Sequence, residues 1–301
     1  MIHFSGIGDE AGNPLAAQIN ATKTLGWRYI EMRNAQVDGF PNGNVHDIPE
    51  EAFETLAETL EAEGVRVCGF GSTIGNWASR IGDDFSVTLE RVERAIPRMQ
   101  RLGAKLVRVM SYAVEKDANG NDAVDQQADE RFRRLRELKA RFDDAGITTV
   151  HENCMNYGGM SISRAQETLE RVPGLRWVFD TCNPVFNVDR DHPPHMQDPW
   201  AFYQAVKSAI SHVHVKDGRY NAAKNDCDYT LPGEGEGQVK RILADLIGSG
   251  YDGFISIEPH TAVVFHNTAD AGGMDPEKKA QEQFDSYVTY GRRLEELVKS
   301  I

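Results

Sequence analysis

Eight times along this chain a short run rich in β-branched and aromatic residues is followed by a longer polar stretch, and this alternation limits the fold more than any other feature. The runs begin near Ile2, Arg28, Val65, Lys105, Ile147, Leu175, Ile210 and Gly253. Between them lie amphipathic segments such as Glu50 to Gly64, Val87 to Gly103 and Asp129 to Gly146. Gly64, Gly103, Gly146, Gly174 and Gly250 stand just before the next strand, where a helix favours a left-handed terminal residue. Strand, helix and strand in regular succession imply a parallel sheet, because parallel neighbours need a crossover. Eight units in 301 residues average about 38 residues each, which predicts a (β/α)8 TIM barrel forming a single domain over 1–301. An open doubly wound sheet would more often place a Gly-rich turn after its first strand, and Gly8-Asp9-Glu10-Ala11-Gly12 lacks that order. The last segment, Asp275 to Lys299, is strongly charged and is expected to pack as a helix on the barrel exterior.

Several of the strands end in side chains that can hold a metal. Alternation puts His212, His214 and Lys216 on one face and Val213 and Val215 on the other. Likewise Ser256, Glu258 and His260 oppose Ile255 and Ile257. The runs Thr149-Val150-His151-Glu152-Asn153 and Trp177-Val178-Phe179-Asp180-Thr181 end the same way. A polar group facing a barrel lumen is costly unless it is paired or metal-bound, and the C-terminal end of the barrel is where active sites lie. Glu152, Asp180, His214 and Glu258 are therefore the candidate ligands, one from each of four strands. Three carboxylates and one imidazole suit a hard or borderline divalent ion such as Mn²⁺, Co²⁺ or Mg²⁺. Zn²⁺ fits the same set, although zinc hydrolases more often offer several His or Cys ligands.

Plainer roles stand beside these. Glu152 could pair with Arg176 or another lumen residue, and Asp180 could cap the following helix. Glu31 and Arg33 share an inward parity on the second strand, where an internal ion pair is the default expectation. His212 is expected to support a neighbour rather than bind metal. Cys154 and Cys182 read as small buried residues, and His192 and His195, in the Pro-rich loop from Pro184 to Pro199, as surface residues. A second long loop runs from Tyr220 to Gly237.

The chain carries 33 basic and 46 acidic residues, a net charge of −13. Such a surface repels phosphate backbones, so no nucleic acid partner is expected. No run of about 18 apolar residues exists, so no membrane span is expected either. The N-terminal residues lack the pattern of a signal peptide, and the four cysteines (Cys68, Cys154, Cys182 and Cys227) lack CxxC spacing. A reducing, cytoplasmic location is the expectation.

The chain resembles the xylose isomerase-like TIM-barrel superfamily, the sugar phosphate isomerase/epimerase group. The matching pieces are His151-Glu152-Asn153, Phe179-Asp180-Thr181, His212-Val213-His214-Val215-Lys216-Asp217, Gly233-Glu234-Gly235-Glu236-Gly237, and Gly250-Tyr251-Asp252-Gly253 leading into Ser256-Ile257-Glu258-Pro259. The resemblance implies one divalent metal held by Glu152, Asp180, His214 and Glu258. It also implies that Glu152 and Glu258 exchange protons on opposite faces of an enediolate. Lys216, Arg219, Trp77 and His260 are candidates for substrate binding. The chain departs from the ketose 3-epimerase pattern at two places. Asp180 is followed by Asn183 where that subgroup has histidine, and His214 leads into Val215-Lys216-Asp217-Gly218-Arg219. The His-Val-Lys-Asp form is similar to the broader superfamily, including inosose dehydratase-like lyases.

The expected function is thus a metal-dependent isomerase or epimerase of a sugar or keto-sugar, working by proton abstraction next to a metal-bound carbonyl. The alternative is a metal-dependent lyase or dehydratase of a keto-sugar or keto-inositol. An endonuclease IV-type nuclease shares the barrel but would need more clustered histidines and a basic face. A non-catalytic sugar-binding barrel is the remaining reading. The expected partner is a small-molecule sugar, and barrels of this group often associate as homo-oligomers.

Overall fold

The computed structural model describes residues 2–262 and 275–301; Met1 and residues 263–274 of the expected domain lie outside the described residues. Eight strands form one sheet: β1 (His3–Gly6), β2 (Tyr29–Met32), β3 (Arg66–Phe70), β4 (Leu106–Val109), β5 (Thr148–Glu152), β6 (Arg176–Asp180), β7 (Ile210–Val215) and β8 (Phe254–Ile257). Their order is β1-β8-β7-β6-β5-β4-β3-β2, every pair parallel. A parallel bridge between Ile7 and Glu31 spans the seam between β1 and β2, so the sheet is a nearly closed barrel. Each strand starts within one residue of the position read from the sequence.

The surrounding helices are α1 (Leu15–Thr24), α2 (Glu50–Glu63), α3 (Phe85–Leu102), α4 (Ala128–Asp144), α5 (Ile162–Arg171), α6 (Pro199–Val206), α7 (Val239–Gly248) and α8 (Pro276–Lys299). Side chains start several of them. The carboxylates of Asp84, Asp198 and Asp275 accept the N–H groups of Ser86, Ala201 and Glu277 at 2.9, 2.7 and 3.0 Å. Gly64 and Gly103 end α2 and α3 at φ +69°, which a side chain would resist.

Alternation along the strands separates two environments. Outward residues such as Val213, Val215, Ile255 and Ile257 pack with Phe202, Leu243, Tyr287 and Leu294 of the helices. A second apolar cluster joins Ile30, Val67 and Val107 to Phe53, Leu56, Phe132 and Leu135. Each such side chain, fully buried, contributes about 1.5–3 kcal/mol. α8 belongs to the first cluster through Tyr287, Tyr290 and Leu294, and Trp27 donates to Glu295 at 2.8 Å.

Inward residues are polar instead. Ser5, Glu31, His212, His214 and Ser256 are all buried. Ser5 and Ser256 hydroxyls meet at 2.5 Å, Ser256 meets His212 Nε2 at 3.1 Å, and His212 meets Glu31 at 2.7 Å. The lumen is filled by one hydrogen-bonded column.

Two elements depart from the sequence reading. The segment 220–237, read as a loop, holds most of an antiparallel hairpin, Gly218–Asn221 against Asp226–Tyr229. A second small hairpin pairs Asn34–Ala35 with Gly43–Asn44. Both are short and polar, and neither shows an apolar alternation that would mark it as a strand. No helix among the described residues is long and apolar enough to cross a membrane.

Candidate metal centre

The tips of β5, β6, β7 and β8 bring Glu152, Asp180, His214 and Glu258 together. One ligand atom from each lies within 4.8 Å of the others, and all four residues are buried. His214 Nδ1 stands 3.7 Å from both Glu152 Oε1 and Glu258 Oε2. Asp180 Oδ2 faces the Lys216 ammonium at 3.1 Å, and His214 Nδ1 has no hydrogen-bond partner among the described residues. Buried polar atoms are rarely left so. An unpartnered imidazole nitrogen facing three carboxylates is what a bound cation would satisfy, and hard oxygen donors with one imidazole suit a divalent ion.

The other atoms of these residues are firmly held. Asp180 Oδ1 accepts the N–H groups of Cys182 and Asn183 at 2.8 and 2.6 Å. The capping contacts therefore use one oxygen of the carboxylate and leave Oδ2 toward the cluster. Glu152 Oε2 accepts from Arg108 at 2.8 Å and Oε1 from Asn183 at 3.1 Å. Its ion-pair partner is another lumen residue, Arg108, rather than Arg176, which hydrogen bonds Ser211. Glu258 Oε1 takes Arg33 at 3.1 Å and lies 3.3 Å from His260 Nε2; Oε2 lies 3.4 Å from Lys216 Nζ. Lys216 also reaches Asp180 Oδ2 at 3.1 Å.

Glu31 does not pair with Arg33. It accepts from His212 at 2.7 Å and His214 Nε2 at 3.0 Å, across the lumen. Arg33 spans Asp9, Glu10 and Glu258 at 2.9, 2.7 and 3.1 Å. The inward parity of Glu31 and Arg33 is as read, but each finds its partner on another element. His212 does support a neighbour, through the Glu31 carboxylate it shares with His214.

The electrostatics show a surplus of negative charge. Burial, with Glu258 and Glu152 nearby, pushes Asp180 up to about 6 despite Lys216. Burial also works against Glu152, but Arg108 and His214 outweigh it and bring the carboxyl to about 2. For His214, burial lowers the pKa, yet Glu31 and Glu152 raise it to about 10. His260 is opposed by burial and raised to about 9 by Glu10. Burial opposes the Lys216 charge too, but Asp180 and Glu258 hold its pKa well above the usual value. The site keeps its carboxylates ionised with cations from its own walls.

Above these residues opens a cavity of about 630 Å³, lined by Arg33, Trp77, Arg108, Lys216, Tyr229 and His260 among others. Of the four substrate-binding candidates, Lys216, Trp77 and His260 reach it. Arg219 does not: it is exposed and donates to the Glu234 carbonyl at 2.5 Å. Sequence reasoning missed Arg108, Glu10 and Asn183. Arg108 left a signal, a lone charge at inward parity in Leu106-Val107-Arg108-Val109.

The glycine-rich segment serves this site indirectly. The Asp217 carboxylate accepts backbone N–H groups from Gly218, Gly233, Gly235 and Gly237 at 2.8 to 3.0 Å. That clasp holds the hairpin, and with it Tyr229, over the cavity. Cys182 and Cys227 lie on the two sides of this contact as free thiols, sulfur to sulfur 3.8 Å. His192 is exposed and bound to Asp189, so the Pro-rich loop keeps it at the surface.

A family model described as "Xylose isomerase-like TIM barrel" matches residues 19–289. The chain belongs to that family. Three relatives illustrate its range. A xylose isomerase-like barrel protein from Mycobacterium smegmatis, solved in complex with magnesium, superposes at TM-score 0.65 with 16% identity, over 99% of this chain and 97% of that one. D-psicose 3-epimerase from Clostridium cellulolyticum H10, solved with D-tagatose, gives TM-score 0.63 and 14% identity over 96% and 98%. Fructoselysine 3-epimerase from Escherichia coli O157:H7 is 23% identical over 129 residues, 41% of this chain and 42% of that relative's length. At these identities the xylose isomerase-like likeness carries the fold, and the chain matches less than half the length of the fructoselysine enzyme.

Proposed function

We propose that this protein is a divalent-metal-dependent epimerase or isomerase of a keto-sugar. The observation that carries the reading is the meeting of Glu152, Asp180 and Glu258 around the buried, unpartnered Nδ1 of His214. A divalent ion held by these four would polarise a sugar carbonyl and acidify the adjacent C–H.

The chain's own residues account for the remaining work. Glu152 and Glu258 are the proton carriers, each ionised and each with one oxygen fixed by an arginine, Arg108 or Arg33. Held on separate strands, they can serve the two sides of a reacting carbon, which epimerisation requires. Proximity supplies what a carboxylate's modest basicity lacks. Lys216 and His260 hold positive charge beside the reacting oxygens, and Trp77 offers an apolar face to the sugar. Arg219 has no part in this account.

The epimerase names of two matched relatives support a reaction that conserves the substrate's atoms rather than elimination. Among the described residues, the basic side chains that line the cavity (Arg33, Arg108, Lys216, Lys224 and His260) are all engaged by carboxylates, which favours an unphosphorylated sugar. The test is deuterium incorporation from solvent into a panel of ketoses by manganese-loaded protein. Exchange at the carbon next to the carbonyl, lost in Glu152→Gln and Glu258→Gln, supports the reading. Water or glycoside loss without isomer formation would replace it with the lyase.

A further inference from the structure

A second cavity, about 370 Å³, adjoins the first, and the two share Trp77, Met155, Phe186 and Asn225 as common walls. We infer that this second cavity is a subsite for a ring joined to the reacting sugar, so that the substrate is a keto-sugar bearing a glycosyl or aryl substituent. The inference rests on the function proposed above and names the substrate class of the same site.

Three observations carry it. First, the space exceeds the reacting unit. The main cavity alone lies within the usual range for a whole small ligand, about 300–1,000 Å³, and the second adds room that a single sugar leaves empty.

Second, the shared wall is apolar and displayed by a fixed backbone. Trp77 is 53% exposed and Met155 52%, unusual for side chains of this size. Neither belongs to a loose segment. The Trp77 loop is pinned by Ser72, whose hydroxyl donates to the Arg108 carbonyl, and by Gly75 at φ +63°, where a Cβ would lie 2.4 Å from the Met110 carbonyl oxygen. Met155 lies between Cys154 and Asn156, whose backbones are tied to one another, and Asn156 is held by Ser111 at 2.7 Å. Rigid aromatic and thioether surface stacks well on the apolar face of a ring.

Third, the second cavity offers a polar contact as well as an apolar wall. Its two cations, Lys116 and Arg190, both reach Asp122. Asn187 lines the same cavity, is 5% exposed, and its Nδ2 has no hydrogen-bond partner among the described residues. A buried donor without an acceptor is costly, and a ring or hydroxyl oxygen of the substituent would supply one.

The test measures equilibrium binding, by calorimetry on the manganese-loaded full chain, to matched pairs of probes. The pairs are D-fructose with isomaltulose, D-fructose with 1-anilino-1-deoxy-D-fructose, and methyl with phenyl β-D-glucopyranoside. The ring-bearing member of at least one pair is expected to bind about tenfold more tightly, the gain typical of one stacked ring. Preference for isomaltulose identifies a glycosyl substituent, and preference for the aniline or phenyl probe an aryl one. Val188→Trp fills the second cavity, and its fold is checked by circular dichroism. It should erase the preference, and Asn187→Leu should reduce it. Equal affinity within every pair, or a preference that survives Val188→Trp, overturns the inference. Solvent-deuterium exchange on the same probes separates the two proposals: paired binding without exchange sinks the epimerase reading and leaves the subsite, and exchange without paired preference does the reverse.

Discussion

His214 Nε2 hydrogen bonds Glu31 at 3.0 Å, and this contact orients the ring so that Nδ1 is left between Glu152 and Glu258. A carboxylate behind a ligating histidine fixes its orientation and strengthens it as a donor. Glu31 lies 183 residues earlier in the chain, on the strand across the lumen.

Glu31→Gln keeps the side chain's volume but removes its charge. It is expected to weaken metal affinity by about 10–100-fold, with little change in fold. Competition against a calibrated chelator measures this directly. Unchanged affinity would mean that Glu31 only fills the lumen.

Metal uptake should depend on pH in a defined direction. In the metal-free protein, burial opposes the His214 charge but Glu31 and Glu152 raise its pKa from 6.5 to about 10. At neutral pH the ring therefore carries a proton that a metal must displace. Affinity should rise with pH up to about 10, and manganese added to weakly buffered protein at pH 7 should release about one proton per site. The linked stability has the opposite trend. The metal-free fold has the full benefit of the charged ring below pH 6.5 and loses it as pH rises through about 10. Thermal denaturation across that window, with and without metal, checks the sign.

Much of this arrangement could be read from the sequence, and the failures are instructive. Alternation placed His214 and Glu258 inward because their neighbours Val213, Val215 and Ile257 are plainly apolar. It could not choose partners, because every inward charge in a barrel is near several others. Glu31 and Arg33, two residues apart, read as a pair, yet Glu31 faces β7 while Arg33 faces Asp9, Glu10 and Glu258. Arg219 read as a substrate-binding candidate because the segment after β7 looked like an open loop. A four-residue strand with residues such as Asp226 and Asp228 gives no period to detect, and the hairpin turns Arg219 toward Glu234.

The Gly233 to Gly237 segment is a clasp around Asp217. Asp217→Asn replaces a carboxylate that accepts four N–H groups with an amide that has one oxygen and a competing donor. A loss of about 2–3 kcal/mol in unfolding free energy is expected from urea denaturation. Because the hairpin carrying Tyr229 would loosen, KM should rise more than kcat falls.

Arg108→Met leaves Glu152 buried without its ion-pair partner. The carboxyl pKa should climb from about 2 toward and above its ordinary value, so exchange activity should shift its acidic limb to higher pH. Glu152→Gln and Glu258→Gln should each lower exchange by about 10²–10⁴-fold at every pH. A pH profile that Arg108→Met leaves unmoved would show that Glu152 does not carry the proton.

The central claim is that Glu152, Asp180, His214 and Glu258 hold one divalent ion. Elemental analysis of purified protein after loading and desalting tests it most directly, with His214→Ala and Glu258→Gln alongside. The account predicts about one Mn, Co, Mg or Zn per chain in the wild type and a clear loss in both variants. A wild-type protein that takes up no metal when offered it would contradict the account, and the lumen charges would then serve only to pair with one another.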